Sequence, residues 1–127
     1  MSVVHDASSL LAVAFREPGG EIAQGALRGS LVSSVNWSEV IQKVQTRGKD
    51  TKQLAGLYAG LGVTIVPFGV ETAERAASLY SETRAFGLSL GDRACLALGL
   101  ETGREVYTAD RRWTEIPLEI KVKAIRP

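Results

Sequence analysis

Apolar positions alternate along the chain between short runs and helically spaced stripes. Runs at 2–5 (Ser2, Val3, Val4, His5), 31–34 (Leu31, Val32, Ser33, Ser34), 63–66, 106–108 and 120–125 predict five strands, the third ending at Pro67. Between them the spacing turns helical. Trp37, Val40, Ile41 and Val44 fall at i, i+3, i+4 and i+7, one stripe of an amphipathic helix. Leu54, Leu57, Tyr58 and Leu61 repeat that stripe, with Gly62 placed to close the helix, and Ala73, Ala76, Ala77 and Tyr80 repeat it again. Residues 94–100 are apolar on nearly every side except Gly99, which predicts a helix buried in the middle of the domain. Gly19 and Gly20 sit between two helical stretches and read as a turn. Strands separated by helices of this length predict an α/β fold with a mainly parallel sheet and helices on both faces.

In such a sheet, ligands collect beyond the carboxyl ends of the strands, where the next helix starts. Four acidic residues fall there. Asp6 follows the first strand, Glu39 lies in the first turn of the helix after the second, Asp92 opens the buried helix, and Asp110 follows the fourth strand. Singly, each reads most simply as a helix cap: Asp6 and Asp110 suit N-cap positions, and Asn36-x-x-Glu39 and Ser89-x-x-Asp92 resemble capping boxes. Together, four like charges in one cleft repel and raise one another's pKa, which a divalent cation with hard oxygen ligands relieves. Spacing alone leaves a metal phosphoesterase and a capped scaffold without chemistry both open.

Composition narrows the field. The 127 residues suffice for one domain, 1–127, that buries about two-thirds of its unfolded surface. Cys95 is the lone cysteine, which excludes an internal disulfide and a thiolate zinc cluster. His5 is the lone histidine, which excludes a ribonuclease that uses two imidazoles as acid and base. It reads as a buried, hydrogen-bonded side chain rather than a metal ligand, on the strand face opposite Asp6. A Cys–His pair would need Cys95, inside the apolar helix, and no Gly-x-x-x-x-Gly-Lys phosphate loop is present. The apolar stretch 10–15 is far shorter than the roughly 20 residues that span a bilayer and lacks the basic flank of a signal peptide, so a cytoplasmic chain with no membrane partner is expected.

Net charge is only +1, so no global charge announces a nucleic-acid partner. With the four acids set against metal, however, ten acids face fifteen bases elsewhere, a net of +5. Arg93, Arg111 and Arg112 flank the acids and are candidate RNA phosphate contacts, with solvated or paired arginines the competing account. Arg47, Lys49 and Lys52 read as an ordinary solvated loop, and Trp37 and Trp113 as core residues.

The stretches Val-Val-His-Asp-Ala-Ser-Ser-Leu (3–10), Asn-Trp-Ser-Glu-Val (36–40), Gly-Leu-Ser-Leu-Gly-Asp-Arg-Ala (87–94) and Tyr-Thr-Ala-Asp (107–110) strongly resemble the PIN-domain ribonucleases, most closely the VapC-type toxins of bacterial toxin–antitoxin pairs. The resemblance runs from Val3 to Ile125, with all four acids in order; His5 stands where the family usually has an aliphatic residue. It implies a PIN-like three-layer α/β/α sandwich around a central five-stranded sheet. It also implies Mg²⁺- or Mn²⁺-dependent endoribonuclease activity, with Asp6, Glu39, Asp92 and Asp110 as the catalytic metal site for one or two ions. Ser8 and Thr108 would be its supporting polar residues. A homodimer and a small antitoxin that blocks the cleft are further implications. The competing functions are a non-catalytic PIN scaffold that binds RNA or protein, and, last, a nuclease acting on DNA structures.

Overall fold

A computed structural model describes residues 2–127. The elements follow the order β1 (Val4–His5), α1 (Ala7–Ala14), α2 (Gly20–Gly25), β2 (Leu31–Ser33), α3 (Ser34–Thr46), α4 (Thr51–Gly60), β3 (Thr64–Val66), α5 (Val70–Ser78), α6 (Tyr80–Thr83), α7 (Leu90–Thr102), β4 (Val106–Thr108) and β5 (Val122–Ala124). Short 3₁₀ turns occupy Arg84–Phe86 and Arg111–Glu115. The strands form one sheet in the order β3-β2-β1-β4-β5, and every pairing is parallel. The chain winds outward from β1 in one direction and resumes at β4 in the other, so the β1–β4 junction is the switch point of the sheet.

Alternation along the strands divides the core between two faces. Leu31 and Val66 join a cluster with Ala76, Leu79, Cys95, Leu96, Trp113 and Ile116 on the α5–α7 side. Their neighbours Val32 and Ile65 join Leu10, Leu27, Val40, Val44 and Tyr58 on the α1–α3–α4 side. The three-layer α/β/α sandwich thus follows from period-two strands between helices with apolar faces. Helix α7 lies in the middle: residues 94–99 are all buried. Gly99 lets Ile120 and Val106 press onto its backbone, since a Cβ there would lie 2.4 Å from Ile120 Cδ1. Trp113 is 2% exposed and belongs to the core, and Trp37 packs tilted against Tyr58 at its edge.

The turn at Gly19–Gly20 has a steric cause. Gly19 adopts φ 86°, and a Cβ there would lie 2.3 Å from the Ile125 carbonyl oxygen, while one on Gly20 would lie 2.4 Å from that of Ala12. Two expectations are corrected. The stripe through Ala73, Ala76, Ala77 and Tyr80 is rotated and interrupted: Ala77 and Tyr80 are exposed, Ala76 and Leu79 are buried, and the helix breaks after Ser78. Helix α3 begins at Ser34 with Ser33 as its cap, so Asn36 and Glu39 form no capping box and Glu39 lies in the second turn.

Candidate active site

Asp6 leaves β1 at the switch point, where its backbone N–H donates to the Tyr107 carbonyl of β4 (3.1 Å). Its side chain is 4% exposed and caps α1, with Oδ1 accepting from the Ser9 N–H at 2.8 Å. The Thr108 hydroxyl donates to Oδ2 at 2.7 Å, and the Ser8 hydroxyl lies 2.8 Å from both carboxylate oxygens. Ser8 Oγ in turn accepts from the Ala109 N–H, and Thr108 Oγ1 accepts from the Asp110 N–H. The adjacency of β1 and β4 therefore brings Ser8 and Thr108, a hundred residues apart, onto one carboxylate. Burial pushes the Asp6 pKa up to about 6 against these hydrogen bonds, with a smaller contribution from the charge of Asp92.

Glu39 reaches the same edge from α3. Asn36, 1% exposed, donates through Nδ2 to Glu39 Oε1 and to the Gly91 carbonyl, both at 2.9 Å, and so ties α3 to the start of α7. The Glu39 carboxylate lies against Gly91: a Cβ there would come within 2.8 Å of both its oxygens. Asp92 follows, in a reciprocal capping box with Ser89. Asp6, Glu39 and Asp92 line one cleft of about 490 Å³ with Ser8, Leu11, Gln42, Lys43 and Thr46. Cys95, beneath them, has its thiol pushed well up by burial and by the charges of Asp6, Asp92 and Glu39. A larger cavity of about 630 Å³ opens at the opposite edge of the sheet, where Arg104, Lys121, Glu105 and Glu119 give it mixed charge.

Asp110 is engaged differently. Its carboxylate caps the 3₁₀ turn through the Arg112 N–H and forms a two-pronged pair with the Arg112 guanidinium, at 3.1 Å to Nε and 2.8 Å to Nη2. That guanidinium holds the Asp110 carboxyl below the ordinary carboxylate range. Arg93 donates to the Ala76 carbonyl at 2.9 Å and lies over the Tyr80 ring, which clamps α5 to α7. Arg111 is exposed. His5 is fully buried between the Ser9 hydroxyl (2.7 Å) and the Ala26 carbonyl (3.1 Å). A carbonyl only accepts, so Nε2 carries the proton and Nδ1 accepts from Ser9. Burial lowers the His5 pKa to about 4, which keeps the ring neutral.

The caps anticipated at Asp6, Asp92 and Asp110 are thus present, and capping does not use up the cleft. Among the described residues, no three His, Cys, Asp or Glu side chains converge closely enough to hold a metal ion between them. Mg²⁺ does not require such a cage: it takes one or two carboxylates and completes its shell with water and substrate phosphate. The all-oxygen set of Asp6, Glu39 and Asp92 around an open cleft fits an ion of that kind, and a carboxylate buried at the cost seen for Asp6 is a group that a cation relieves. Sequence reasoning missed Asn36 as a tether, Gly91 as the seat of Glu39, and Lys43, whose i+4 spacing from Glu39 placed it on the same helix face.

Solved structures with the same fold include a toxin–antitoxin complex from Klebsiella pneumoniae, with a TM-score of 0.69 and 22% identity over 98% of each chain. VapBC2 from Rickettsia felis, bound to a promoter DNA fragment, matches with a TM-score of 0.70 and 13% identity over 97% of this chain and 98% of that one. DNA-bound VapBC from Salmonella typhimurium matches with a TM-score of 0.70 and 16% identity over 97% of each chain. No curated protein matches the chain. The family model of the PIN domain matches residues 3–118, from the strand that delivers Asp6 to the turn beyond Asp110. The chain belongs to the PIN domain family.

Proposed function

We propose that the chain is a VapC-like toxin, an endoribonuclease that hydrolyses RNA phosphodiester bonds with Mg²⁺ or Mn²⁺ at the cleft beyond β1 and β4. The observation that carries this reading is the buried Asp6 carboxylate, oriented by Ser8 and Thr108, sharing one cleft with Glu39 and Asp92. Asp6, Glu39 and Asp92 would hold the metal, with Asp110 joining on release from Arg112. When bound, a divalent ion polarises the phosphate and lowers the pKa of its water. The chain's own part is positional. Ser8 and Thr108 fix the Asp6 carboxylate with both hydroxyl protons pointed at it, and Asn36 holds Glu39 against Gly91. Arg111, exposed beside Asp110, and Arg112 are candidate contacts for RNA phosphates, and Arg93 supports the start of α7.

Membership of the PIN family and the toxin–antitoxin complexes among its structural neighbours support a cognate antitoxin as partner; a homodimer as the working form is part of the same proposal and rests on the resemblance to the VapC-type toxins alone. The test is end-mapping of bacterial RNA incubated with the protein and Mg²⁺ or Mn²⁺, beside an Asp92→Asn variant and an EDTA control. Discrete new ends that vanish in both controls are expected. An amide oxygen at this position can still accept from the Ser89 N–H in the capping box, so that variant keeps its fold. The rival reading, a non-catalytic PIN scaffold, draws on the capping roles of Asp6, Asp92 and Asp110. It prevails if no ends appear and Mg²⁺ leaves the melting temperature unmoved.

A further inference from the structure

The cleft that holds the carboxylates does not end at them. It continues along the groove between α1 and α3, where Gln42, Lys43 and Thr46 form its wall. Lys43 and Arg47 follow Glu39 at i+4 and i+8, so one face of α3 carries a carboxylate and then a cation about 6 Å further along the axis, with a second cation at the residue that caps the helix. At the far end Phe15 closes α1. The Arg47 guanidinium lies 4.2 Å from the Phe15 ring centroid, and the Lys49 ammonium 4.9 Å from it. Lys49 also donates to the Ala14 carbonyl at 3.2 Å. Both cations thereby sit at the end of α1, just beyond Thr46, and Lys49 also lines a neighbouring cavity with Asp50 and Leu54. All three are exposed, and neither ion pair among the described residues involves any of them.

Those contacts account for Arg47 and Lys49 locally, yet none of the three cations enters an ion pair among the described residues, and together they extend from a carboxylate cleft to the far end of α1. We infer that Lys43, Arg47 and Lys49 form a track for the sugar–phosphate backbone of single-stranded RNA, leading away from the scissile bond along the α1–α3 groove. The inference rests on the ribonuclease reading and extends it to one flank of the substrate. A succession of cations along one side of the molecule suits a polymer with one charge per unit. Continuity with the cleft favours an RNA strand over an acidic peptide, which has no reason to begin at three carboxylates. The track would grip the backbone without reading bases, so it would set affinity and the direction of the strand rather than sequence choice.

The test uses a short fluorescent single-stranded RNA of mixed sequence, with Mg²⁺ and the Asp92→Asn chain so that nothing is cut. Binding is followed by anisotropy across a salt series, with and without the added substitutions Lys43→Gln, Arg47→Gln and Lys49→Gln. A control chain carries Arg28→Gln, Lys121→Gln and Lys123→Gln, exposed cations outside the groove. The track variant is expected to bind about tenfold more weakly or worse, with a salt dependence shallower by about two, as three lost phosphate contacts require for a single strand. The control should bind like the parent, and melting temperatures should agree across all three. Equal affinity and slope in the track variant would overturn the inference, while RNA cleavage by the unmodified chain would leave the ribonuclease reading standing. Lost binding in a chain that cuts nothing would support the track and remove only the catalytic reading. A fluorescent polyglutamate peptide that binds the parent more tightly than the RNA does, and loses that binding in the track variant, would assign the row to an acidic protein partner and overturn the inference.

Discussion

His5 and Asp6 are adjacent, both buried, and pull the pH dependence of stability in opposite directions. The folded pKa of Asp6 is raised to about 6, so its contribution is fully present below about pH 4 and lost as pH rises through 6. His5 is lowered to about 4, so its contribution is present above about pH 6.5 and lost as pH falls toward 4. Each swing is on the order of 3 kcal/mol, and over pH 4 to 6.5 they oppose each other. Metal-free wild-type protein should therefore show a nearly flat stability across that range in urea unfolding. Asp6→Asn should be more stable than wild type at pH 7.5 by ~1–3 kcal/mol, with the gap closing near pH 4. The variant's own stability should fall between pH 6.5 and 4, exposing the His5 titration that Asp6 masks. A variant weaker than wild type at pH 7.5 would mean that capping by the charged form outweighs the cost of burying it.

Among the elements, two glycines close to helix starts predict different outcomes from the same added methyl group. At Gly20 the methyl meets the rigid Ala12 carbonyl, so Gly20→Ala should cost about 3 kcal/mol by forcing α1 and α2 apart, read as a lowered urea midpoint. At Gly91 it meets the end of the Glu39 side chain, which can swing away. Gly91→Ala should leave the midpoint within ~1 kcal/mol, helped by the helix preference of alanine, yet lower RNA cleavage at least tenfold by displacing Glu39. Unchanged cleavage would remove Glu39 from the active set. The elements themselves were largely legible in the sequence: all five strands and the buried α7 stand where apolar runs place them, because burial on more than one face leaves a continuous apolar run. The start of α3 was not, since Asn36 and Ser33 are both good caps and only the tertiary bond from Asn36 to Gly91 decides between them. The stripe at 73–80 misled because alanine carries little facing information, and Tyr80 turned out exposed. Candidate acids were legible from their strand-end positions. The grip of Arg112 on Asp110 was not, because an i+2 pair depends on the local turn and sequence spacing does not specify it.

For the molecule as a whole, Mg²⁺ binding to the folded state alone should raise stability, by about 2.7 kcal/mol at a hundredfold excess over its Kd. The gain should shrink as pH falls below about 6, where Asp6 takes a proton in competition with the metal, and should vanish in Asp6→Asn. Differential scanning in Mg²⁺ and EDTA at pH 7.5 and 5 checks both; a shift that survives Asp6→Asn would place the ion elsewhere. The same central strand has a further consequence. Val4 donates its backbone N–H to the Glu105 carbonyl just before β4 (2.8 Å) and Asp6 to that of Tyr107 in β4 (3.1 Å), and Val4 and His5 are fully buried in the middle of the sheet. Amides in such a position exchange with solvent only when the whole molecule unfolds, so the Asp6 carboxylate has no private opening motion. On the ribonuclease reading, an edge that cannot loosen by itself has no internal throttle, and the timing of its activity would pass to the lifetime of whatever covers the cleft.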